Sequence, residues 1–247
     1  MTAFTVVIPA RFGSQRLPGK PLIDLAGKSM IERVYVQASL SRASRVVVAT
    51  DDQRIADAVS GFGGEYCMTR DNHVSGTDRV QEVASKLMLT PEQTVVNVQG
   101  DEPLMPPEVI DQVAEMLDQS NAPMTTLSEP IETTEDLMDP NIVKVVTDEN
   151  GNALYFSRAP IPWDRDRPDD TPTSAMRHIG IYGYRVSLLN AFVSWQTGQL
   201  EQIEKLEQLR MMERGIRINV AKSIKTIPPG IDTASDLERT LAVLKSR

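Results

Sequence analysis

Residues 6–22 read Val6-Val7-Ile8-Pro9-Ala10-Arg11-Phe12-Gly13-Ser14-Gln15-Arg16-Leu17-Pro18-Gly19-Lys20-Pro21-Leu22, and the rest of the chain is organised around them. The stretch opens with β-branched apolar residues, which are typical of a buried strand. Pro9 ends that strand because proline cannot donate to a sheet ladder. The loop that follows carries two glycines and the cations Arg11, Arg16 and Lys20. Glycines let backbone N–H groups approach an anion, so the loop is predicted to bind phosphate.

Two common phosphate-binding motifs do not fit this loop. A Walker loop has four residues between its glycines and a Ser or Thr after its lysine. Here five residues separate Gly13 from Gly19, and Pro21 follows Lys20. The glycines over 61–64 lack the spacing of the dinucleotide fingerprint. The loop is therefore interpreted as a phosphate loop of another family, with a charged surface loop as the alternative.

Composition limits the class of protein. The chain has 247 residues, 40% of them hydrophobic, which suffices for one large domain or a domain with a smaller lobe. A formal charge of −8 argues against nucleic acid or an anionic membrane as the main partner. The single cysteine, Cys67, excludes an internal disulfide. No apolar run approaches the ~20 residues of a membrane span, and no signal peptide is evident, so a cytoplasmic protein is expected.

Strands and helices alternate through the first half. The pattern predicts buried strands at 46–50, 66–68 and 94–98, and helices at 30–40, 54–62, 79–88 and 106–119. This order favours an α/β fold with a doubly wound, mostly parallel sheet. Ligands of such sheets bind beyond the carboxyl ends of the strands. The loops 9–20, 50–52 and 99–102 are therefore predicted to converge on one site.

The second half has a different pattern. Strands are predicted at 124–131, 142–147, 153–157 and 178–184, with an Asn150-Gly151 hairpin turn. Helices are predicted at 200–214 and 233–245. We interpret residues 1–247 as one domain in which 124–185 form an inserted antiparallel lobe, suited to a partner surface. The charged segment 164–175 is either a solvated loop or a lid.

The candidate catalytic groups point to phosphate chemistry. The two histidines, His73 and His178, are not part of an HExxH motif, and no GxSxG elbow is present. Phosphoryl transfer instead needs cations and a divalent metal, and Mg²⁺ prefers one or two carboxylates with substrate oxygens. Asp101 lies just beyond the carboxyl end of the fourth strand, and Asp232 lies in a turn just before the last helix. Both are therefore candidate ligands. A turn-forming or helix-capping role is the alternative for each.

Several motifs together resemble one family. The segment from Pro9 to Leu22 closely resembles the opening motif of the 3-deoxy-manno-octulosonate cytidylyltransferase (CMP-Kdo synthetase) family. Further matches cover nearly the whole chain, at 48–51, 73–79, 97–103, 153–158, 161–165, 178–184, 206–210 and 230–233. One departure is Phe12, where tyrosine is expected in many relatives.

The resemblance implies a nucleotidyltransferase that joins CTP to a 3-deoxy-2-keto sugar acid (Kdo), releasing pyrophosphate and feeding lipopolysaccharide synthesis. It also implies Mg²⁺ and a homodimer. The catalytic residues implied are Arg16, Lys20, Asp101 and Asp232, the last two as Mg²⁺ ligands. The nucleotide contacts implied are Pro9, Ala10, Arg11, Arg16, Lys20, Ala49, Thr50, Asp51, His73, Ser75, Gly76, Thr77, Arg79, Gln99 and Gly100. The sugar contacts implied are Gln99, Arg158, Arg165, His178, Tyr182, Glu207 and Gln208.

Two alternatives to this reaction stay open. One is the same chemistry on a modified acid, such as the 8-amino analogue of Kdo, because sugar preference depends on one or two pocket contacts. The other is a non-catalytic nucleotide sensor that keeps the phosphate loop. The presence of both Asp101 and Asp232 favours the enzyme.

Overall fold

Strand β1, Phe4–Pro9, lies inside a nine-stranded sheet in the computed structural model, which describes residues 2–13, 17–167 and 174–245. Val6, Val7 and Ile8 are fully buried because both faces of the sheet are covered. The other strands are β2 (Arg45–Thr50), β3 (Tyr66–Met68), β4 (Thr94–Asn97), β5 (Met124–Pro130), β6 (Lys144–Thr147), β7 (Ala153–Ser157), β8 (Met176–Arg185) and β9 (Ile218–Lys222).

The helices begin at polar caps that the sequence supplies. Ser29, Asp52 and Ser75 each accept a hydrogen bond from a backbone N–H in the first turn of the helix that follows. The helices are α1 (Met30–Ser39), α2 (Gln53–Gly61), α3 (Gly76–Lys86), α4 (Pro107–Gln119), α5 (Thr134–Met138), α6 (Val186–Phe192), α7 (Gln199–Glu204), α8 (Leu209–Met212) and α9 (Ala234–Lys245), with a short 3-10 helix at Lys20–Leu22.

The sheet is mixed, with strand order β3-β2-β1-β4-β8-β5-β9. The first four strands run parallel, as do β5 and β9. Strand β8 runs antiparallel between β4 and β5. Apolar clusters cover both faces, one built largely on α1, α2 and α4 and the other on α3 and α6. The predicted α/β class with a mostly parallel, doubly wound sheet is confirmed. In the described part of the chain, no helix is both long and apolar enough to cross a membrane.

The predicted lobe over 124–185 has two parts in the structure. Strands β5 and β8 belong to the central sheet, whereas β6 and β7 form a hairpin off its main path. The Nζ of Lys144, a fully buried residue, donates to the carbonyls of Asp139, Ile142 and Arg158 at 2.9, 2.6 and 2.8 Å. These bonds close the base of the hairpin. Its role in dimerisation stays a prediction.

The predicted continuous helix over 200–214 is wrong. Helix α7 ends at Glu204 because the next residue, Lys205, has a left-handed φ of 54°, and α8 starts only at Leu209. The apolar spacing does mark buried positions, since Leu206 and Leu209 are buried. The break places Glu207 and Gln208 outside regular helix. Strand β9 and helices α5 and α6 were not predicted.

Candidate active site

The carboxyl ends of β1 and β4 open into a cavity of about 710 Å³. The position agrees with the rule for ligand sites in open α/β sheets. Most of its lining comes from two of the three loops that were predicted to converge, those after β1 and β4, and from the start of α3. Residues 50–52, the third predicted loop, are not among the lining residues. The lining residues are Pro9, Ala10, Arg11, Lys20, Pro21, His73, Val74, Ser75, Gly76, Arg79, Gln99, Gly100, Asp101 and Asp232.

The loops after β1 and β4 touch each other, as predicted. A Cβ at Gly100 would lie 2.7 Å from the carbonyl oxygen of Pro9, so only glycine fits this approach. The loop after β2 contributes through Asp51, which holds the cavity residue Arg79 in place. Ala49 and Thr50 are fully buried, and Asp51 accepts a 2.7 Å bond from the Nη2 of Arg79. The carbonyls of Ala49 and Thr50 accept 2.8 Å bonds from the N–H groups of Ala10 and Thr69, and neither residue lines the cavity, so their nucleotide contacts stay predictions.

The phosphate loop is closed by contacts between its two ends. The N–H of Gly19 donates to the carbonyl of Phe12 at 3.2 Å, and Gly19 has a left-handed φ of +69°. The guanidinium carbon of Arg54 lies 3.3 Å from the centroid of the Phe12 ring, a cation–π contact that fixes the ring. Arg11 lines the cavity. Arg16, predicted to hold the triphosphate, lies outside the described residues.

The two predicted metal ligands meet at one cation. Lys20 Nζ donates to Asp101 Oδ2 at 2.7 Å and to Asp232 Oδ1 at 3.0 Å. Lys20 is largely buried, at 9% exposure, so its charge needs these partners. Two carboxylates that converge on one ammonium form a place suited to a hard cation. Within the described residues, no group of three or more His, Cys, Asp and Glu side chains could hold a metal.

Backbone contacts hold the Asp232 turn beside Asp101. The N–H of Ile231 donates to the carbonyl of Asp101 at 2.9 Å. Asp236, in the first turn of α9, accepts bonds from the N–H groups of Asp232 and Thr233 at 3.0 and 2.8 Å. Asp232 therefore sits in a turn that is fixed on both sides, which suits a ligand that must keep its place.

Sequence reasoning missed Glu102. Its Oε2 is buried and has no hydrogen-bond partner among the described residues. Burial, and next the charge of Asp101, raise the pKa of Glu102 to about 8. The only available hint was its place in the turn Gly100-Asp101-Glu102-Pro103, beside a residue already singled out.

The start of α3 presents polar groups to the cavity. Ser75 and Asp78 form a capping box, with bonds of 3.2 and 3.1 Å between each side chain and the other's N–H. His73 Nε2 bonds to Glu82, which also accepts from the N–H of Arg70 and from Lys86 Nζ. Burial opposes ionisation of Glu82, but these bonds outweigh it and lower its pKa to about 2. The ring of His73 is thereby held at the edge of the cavity.

Two of the predicted sugar contacts, Glu207 and Gln208, lie in the break between α7 and α8. Each carries a buried polar atom, Glu207 Oε1 and Gln208 Nε2, that has no partner within the described chain. Thr77, predicted to contact the nucleotide, is 1% exposed, and its hydroxyl donates to Glu207 Oε2 at 2.5 Å. Burial raises the pKa of Glu207, while bonds from Ser75 and Thr77 oppose that rise.

The other predicted sugar contacts lie at different depths. Gln99 lines the cavity, and its Nε2 donates to the carbonyl of Gly180 on β8 at 3.3 Å. Tyr182 packs between His178 and Tyr184, with ring centroids 5.4 and 5.8 Å apart. Burial, and next the charge of Glu207, raise the pKa of Tyr182.

The two arginines predicted to contact the sugar are not among the residues that line the described cavity. Arg158 donates instead to the carbonyls of Glu204 and Pro140 at 2.7 and 2.8 Å. Arg165 is exposed. Their sugar roles stay predictions, as does a lid at 164–175, of which 168–173 lie outside the described residues.

His178 should make the protein sensitive to mild acid. Its Nε2 lies 3.0 Å from Thr126 Oγ1, its ring packs edge-on against Phe156, and burial lowers its pKa to about 3. Because the unfolded state then binds more protons at this group between about pH 3 and 6.5, the contribution of His178 to stability falls as the pH drops through this window. At pH 5 that contribution is about 2 kcal/mol lower than at neutral pH, while Glu102, whose pKa is raised to about 8, contributes in the opposite direction.

The measurement is the free energy of unfolding from urea titrations between pH 5 and 7. Glu82 and Asp236, with pKa values lowered to about 2, titrate below this range. Glu102 titrates across it but is common to the wild type and the His178 variant, so the difference between the two proteins isolates His178. His178→Gln is expected to be less stable than the wild type at pH 7, and this difference should shrink by about 2 kcal/mol between pH 7 and pH 5. An equal slope in the variant would contradict the assignment to His178.

Comparisons with known proteins agree with this geometry. The family model described as "Cytidylyltransferase" matches residues 5–220. A 3-deoxy-manno-octulosonate cytidylyltransferase of Saccharophagus degradans is 56% identical, covering 98% of this chain and 99% of that protein. A protein of the same name from Vibrio vulnificus is 55% identical over 99% of this chain and 100% of its own length. A solved structure of CMP:2-keto-3-deoxy-manno-octonic acid synthetase complexed with CTP superposes with a TM-score of 0.92 at 40% identity, covering 99% of both chains.

Proposed function

We infer the roles of individual residues from the premise that this chain belongs to the 3-deoxy-manno-octulosonate cytidylyltransferase family. The protein activates Kdo with CTP. The C2 hydroxyl oxygen of Kdo bonds to the α-phosphorus of CTP, the bond from that phosphorus to the bridging oxygen of the β-phosphate breaks, and the hydroxyl proton is lost. The products are CMP-Kdo and pyrophosphate.

The observation that carries this assignment is the meeting of a basic loop and two carboxylates in one cavity. Arg11 and Lys20 come from the loop, and Asp101 and Asp232 face Lys20. A triphosphate is an anion that cations and backbone N–H groups of such a loop would neutralise. We propose that Arg11 and Lys20 contact the phosphates and favour departure of pyrophosphate. Arg16 is proposed for the same role from its place in the loop.

The carboxylate pair fits a magnesium ion. Asp101 and Asp232 are hard oxygen ligands, and Lys20 already places a positive charge between them. Mg²⁺ commonly takes one or two protein carboxylates and completes its shell with substrate oxygens and water. When bound there, it would supply positive charge where two anionic substrates must approach each other. The chain's own part is to hold the two carboxylates at a fixed separation, through the Ile231 to Asp101 backbone bond.

The sugar acid is proposed to lie toward β8 and the break after α7. Glu207 Oε1 and Gln208 Nε2 are a buried acceptor and donor without partners in the described chain, which hydroxyl groups of a sugar would satisfy. Gln99 connects this side to the cavity. His178 does not serve as the general base in this proposal, because burial lowers its pKa to about 3 and Thr126 occupies its Nε2.

Base selection is assigned to the start of α3. Ser75, Gly76 and Arg79 face the cavity there, and polar groups that pair with the amine and carbonyl of cytosine leave a mismatched base unpaired. We expect a clear preference for CTP over ATP and GTP, with UTP the closest competitor.

Pyrophosphate release tests both the reaction and this preference. Release should require nucleotide, Kdo and Mg²⁺ together, with each omitted in turn as the control. Equal turnover of the four nucleotides would remove the assignment of α3, and release without Kdo would remove the reaction.

A homodimer is proposed on the strength of exposed apolar side chains around the β6–β7 hairpin. Leu154 on β7 is 61% exposed and Ile203 on α7 is 69% exposed. An interface between two copies over this face would remove both side chains from water, which is favourable for apolar surface. The cytoplasmic location predicted from the sequence stays a prediction.

A further inference from the structure

A buried polar chain joins the nucleotide side of the site to the sugar side. Thr77, in the first turn of α3, donates to Glu207, which lies 130 positions later in sequence. The residues just before Thr77, Ser75 and Gly76, line the cavity. Tyr184 on β8 also bonds to Thr77. One hydroxyl therefore lies between the end of α3 that faces the nucleotide and the segment that carries Glu207.

The geometry of Glu207 shows what this hydroxyl does. Thr77 Oγ1 lies 2.5 Å from Oε2, and Ser75 also bonds to the carboxylate. The other oxygen, Oε1, is buried and has no partner among the described residues. Bonds to one oxygen of a planar carboxylate restrict rotation of the group and so limit the directions open to the other oxygen. Thr77, with Ser75, thus helps to set where the unpartnered acceptor points.

The surroundings of Glu207 do not supply this direction by themselves. The residue follows the break between α7 and α8, so no helical backbone on its N-terminal side restrains it. Arg210, three positions further on, is committed to Glu201 through bonds of 2.6 and 2.5 Å. The hydroxyl groups at the start of α3 are therefore the groups that orient the carboxylate.

We propose that Thr77 is a positioning residue for the sugar acid, acting through Glu207, rather than a nucleotide contact through its side chain. The inference rests on the proposed function of Glu207 as a sugar contact. A shift of the first turn of α3 when nucleotide binds would be passed to Glu207 through this bond. Nucleotide and sugar sites are then coupled through hydrogen bonds between the start of α3 and the carboxylate of Glu207.

Three variants and one double variant test the proposal. Thr77→Val removes the hydroxyl and keeps the branched shape, while Thr77→Ser keeps the hydroxyl. Glu207→Ala removes the group through which Thr77 acts. For each we would measure KM for Kdo, the Kd for CTP by calorimetry, and the thermal unfolding midpoint.

Thr77→Val is expected to raise KM for Kdo about tenfold, the effect of one hydrogen bond to a charged group. The Kd for CTP should change less than about threefold, and Thr77→Ser should restore KM. In the Glu207→Ala background, Thr77→Val should add little, because the two act as one unit. A lower unfolding midpoint alone, with KM for Kdo unchanged in Thr77→Val, would show that Thr77 is only structural and would overturn the proposal.

The variants distinguish an error about Glu207 from an error about Thr77. If Glu207→Ala leaves KM for Kdo unchanged, the assignment of Glu207 to the sugar is wrong and the role of Thr77 falls with it. If Glu207→Ala raises KM but Thr77→Val instead weakens CTP, the sugar contact stands and Thr77 is a nucleotide contact.

Discussion

Asp232→Asn is expected to lower kcat about a hundredfold or more while leaving the Kd for CTP nearly unchanged. The substitution keeps the size of the side chain and an oxygen that can still accept from Lys20 Nζ, which lies 3.0 Å from Asp232 Oδ1. What is lost is one of the two negative charges that make the pair suitable for a divalent cation. The phosphate loop is intact, so nucleotide binding through Arg11 and Lys20 persists.

Pyrophosphate release across a magnesium titration measures this effect, with calorimetry for CTP at its side. The magnesium midpoint should move to higher concentration in Asp232→Asn and also in Asp101→Asn. Asp57→Asn, an exposed change on α2 that removes the same charge away from the site, is the matched control. Normal turnover of Asp232→Asn at the wild-type magnesium midpoint would show that the two-carboxylate site is wrong.

Lys20→Ala is expected to weaken CTP binding and turnover by roughly ten- to a hundredfold, the effect of losing a charge-assisted hydrogen bond. The structure adds a second, opposite expectation. Because Lys20 Nζ is bonded to both Asp101 and Asp232, its removal leaves two carboxylates without their counter-charge. Mg²⁺ alone should then bind this variant more tightly than the wild type.

The thermal unfolding midpoint with and without Mg²⁺, in the absence of nucleotide, separates these two effects. A ligand that binds only the folded state raises the midpoint, and at a given ligand concentration it does so more when it binds more tightly. The shift should be larger in Lys20→Ala than in the wild type, and Lys28→Ala, which removes an exposed lysine paired with Glu32, should behave like the wild type. Equal magnesium shifts in all three proteins, together with unchanged CTP affinity, would mean that Lys20 takes no part in binding at the site.

The features that could be predicted are those with a local cause. β1 and its loop follow from a short β-branched run, a proline and clustered cations, all within residues 6–22. The resemblance placed Asp101 and Asp232 together, and the structure shows them on one lysine. Sequence spacing alone could not have paired them, because a distance of 131 positions says nothing about contact in space.

The features that escaped prediction have tertiary causes. The apolar pattern around Leu206 and Leu209 is helical, yet the chain adopts a left-handed residue at Lys205. That break places Glu207 within hydrogen-bonding distance of Thr77. No periodicity in the sequence indicates the break. The burial of Glu102 Oε2 likewise depends on packing between segments far apart in sequence.

The bond from Lys20 to Asp232 spans 212 positions, and this has a consequence for how the protein is made. Ribosomes deliver the chain from its N-terminus, so the loop and the strands β1 to β4 exist well before Asp232 is synthesised. β9, which pairs with β5, also arrives late. A nascent or prematurely terminated chain that stops before residue 232 holds Lys20 and Asp101 but not the second carboxylate. The site therefore becomes complete only when the last part of the chain has been made, and unfinished chains are not expected to consume CTP.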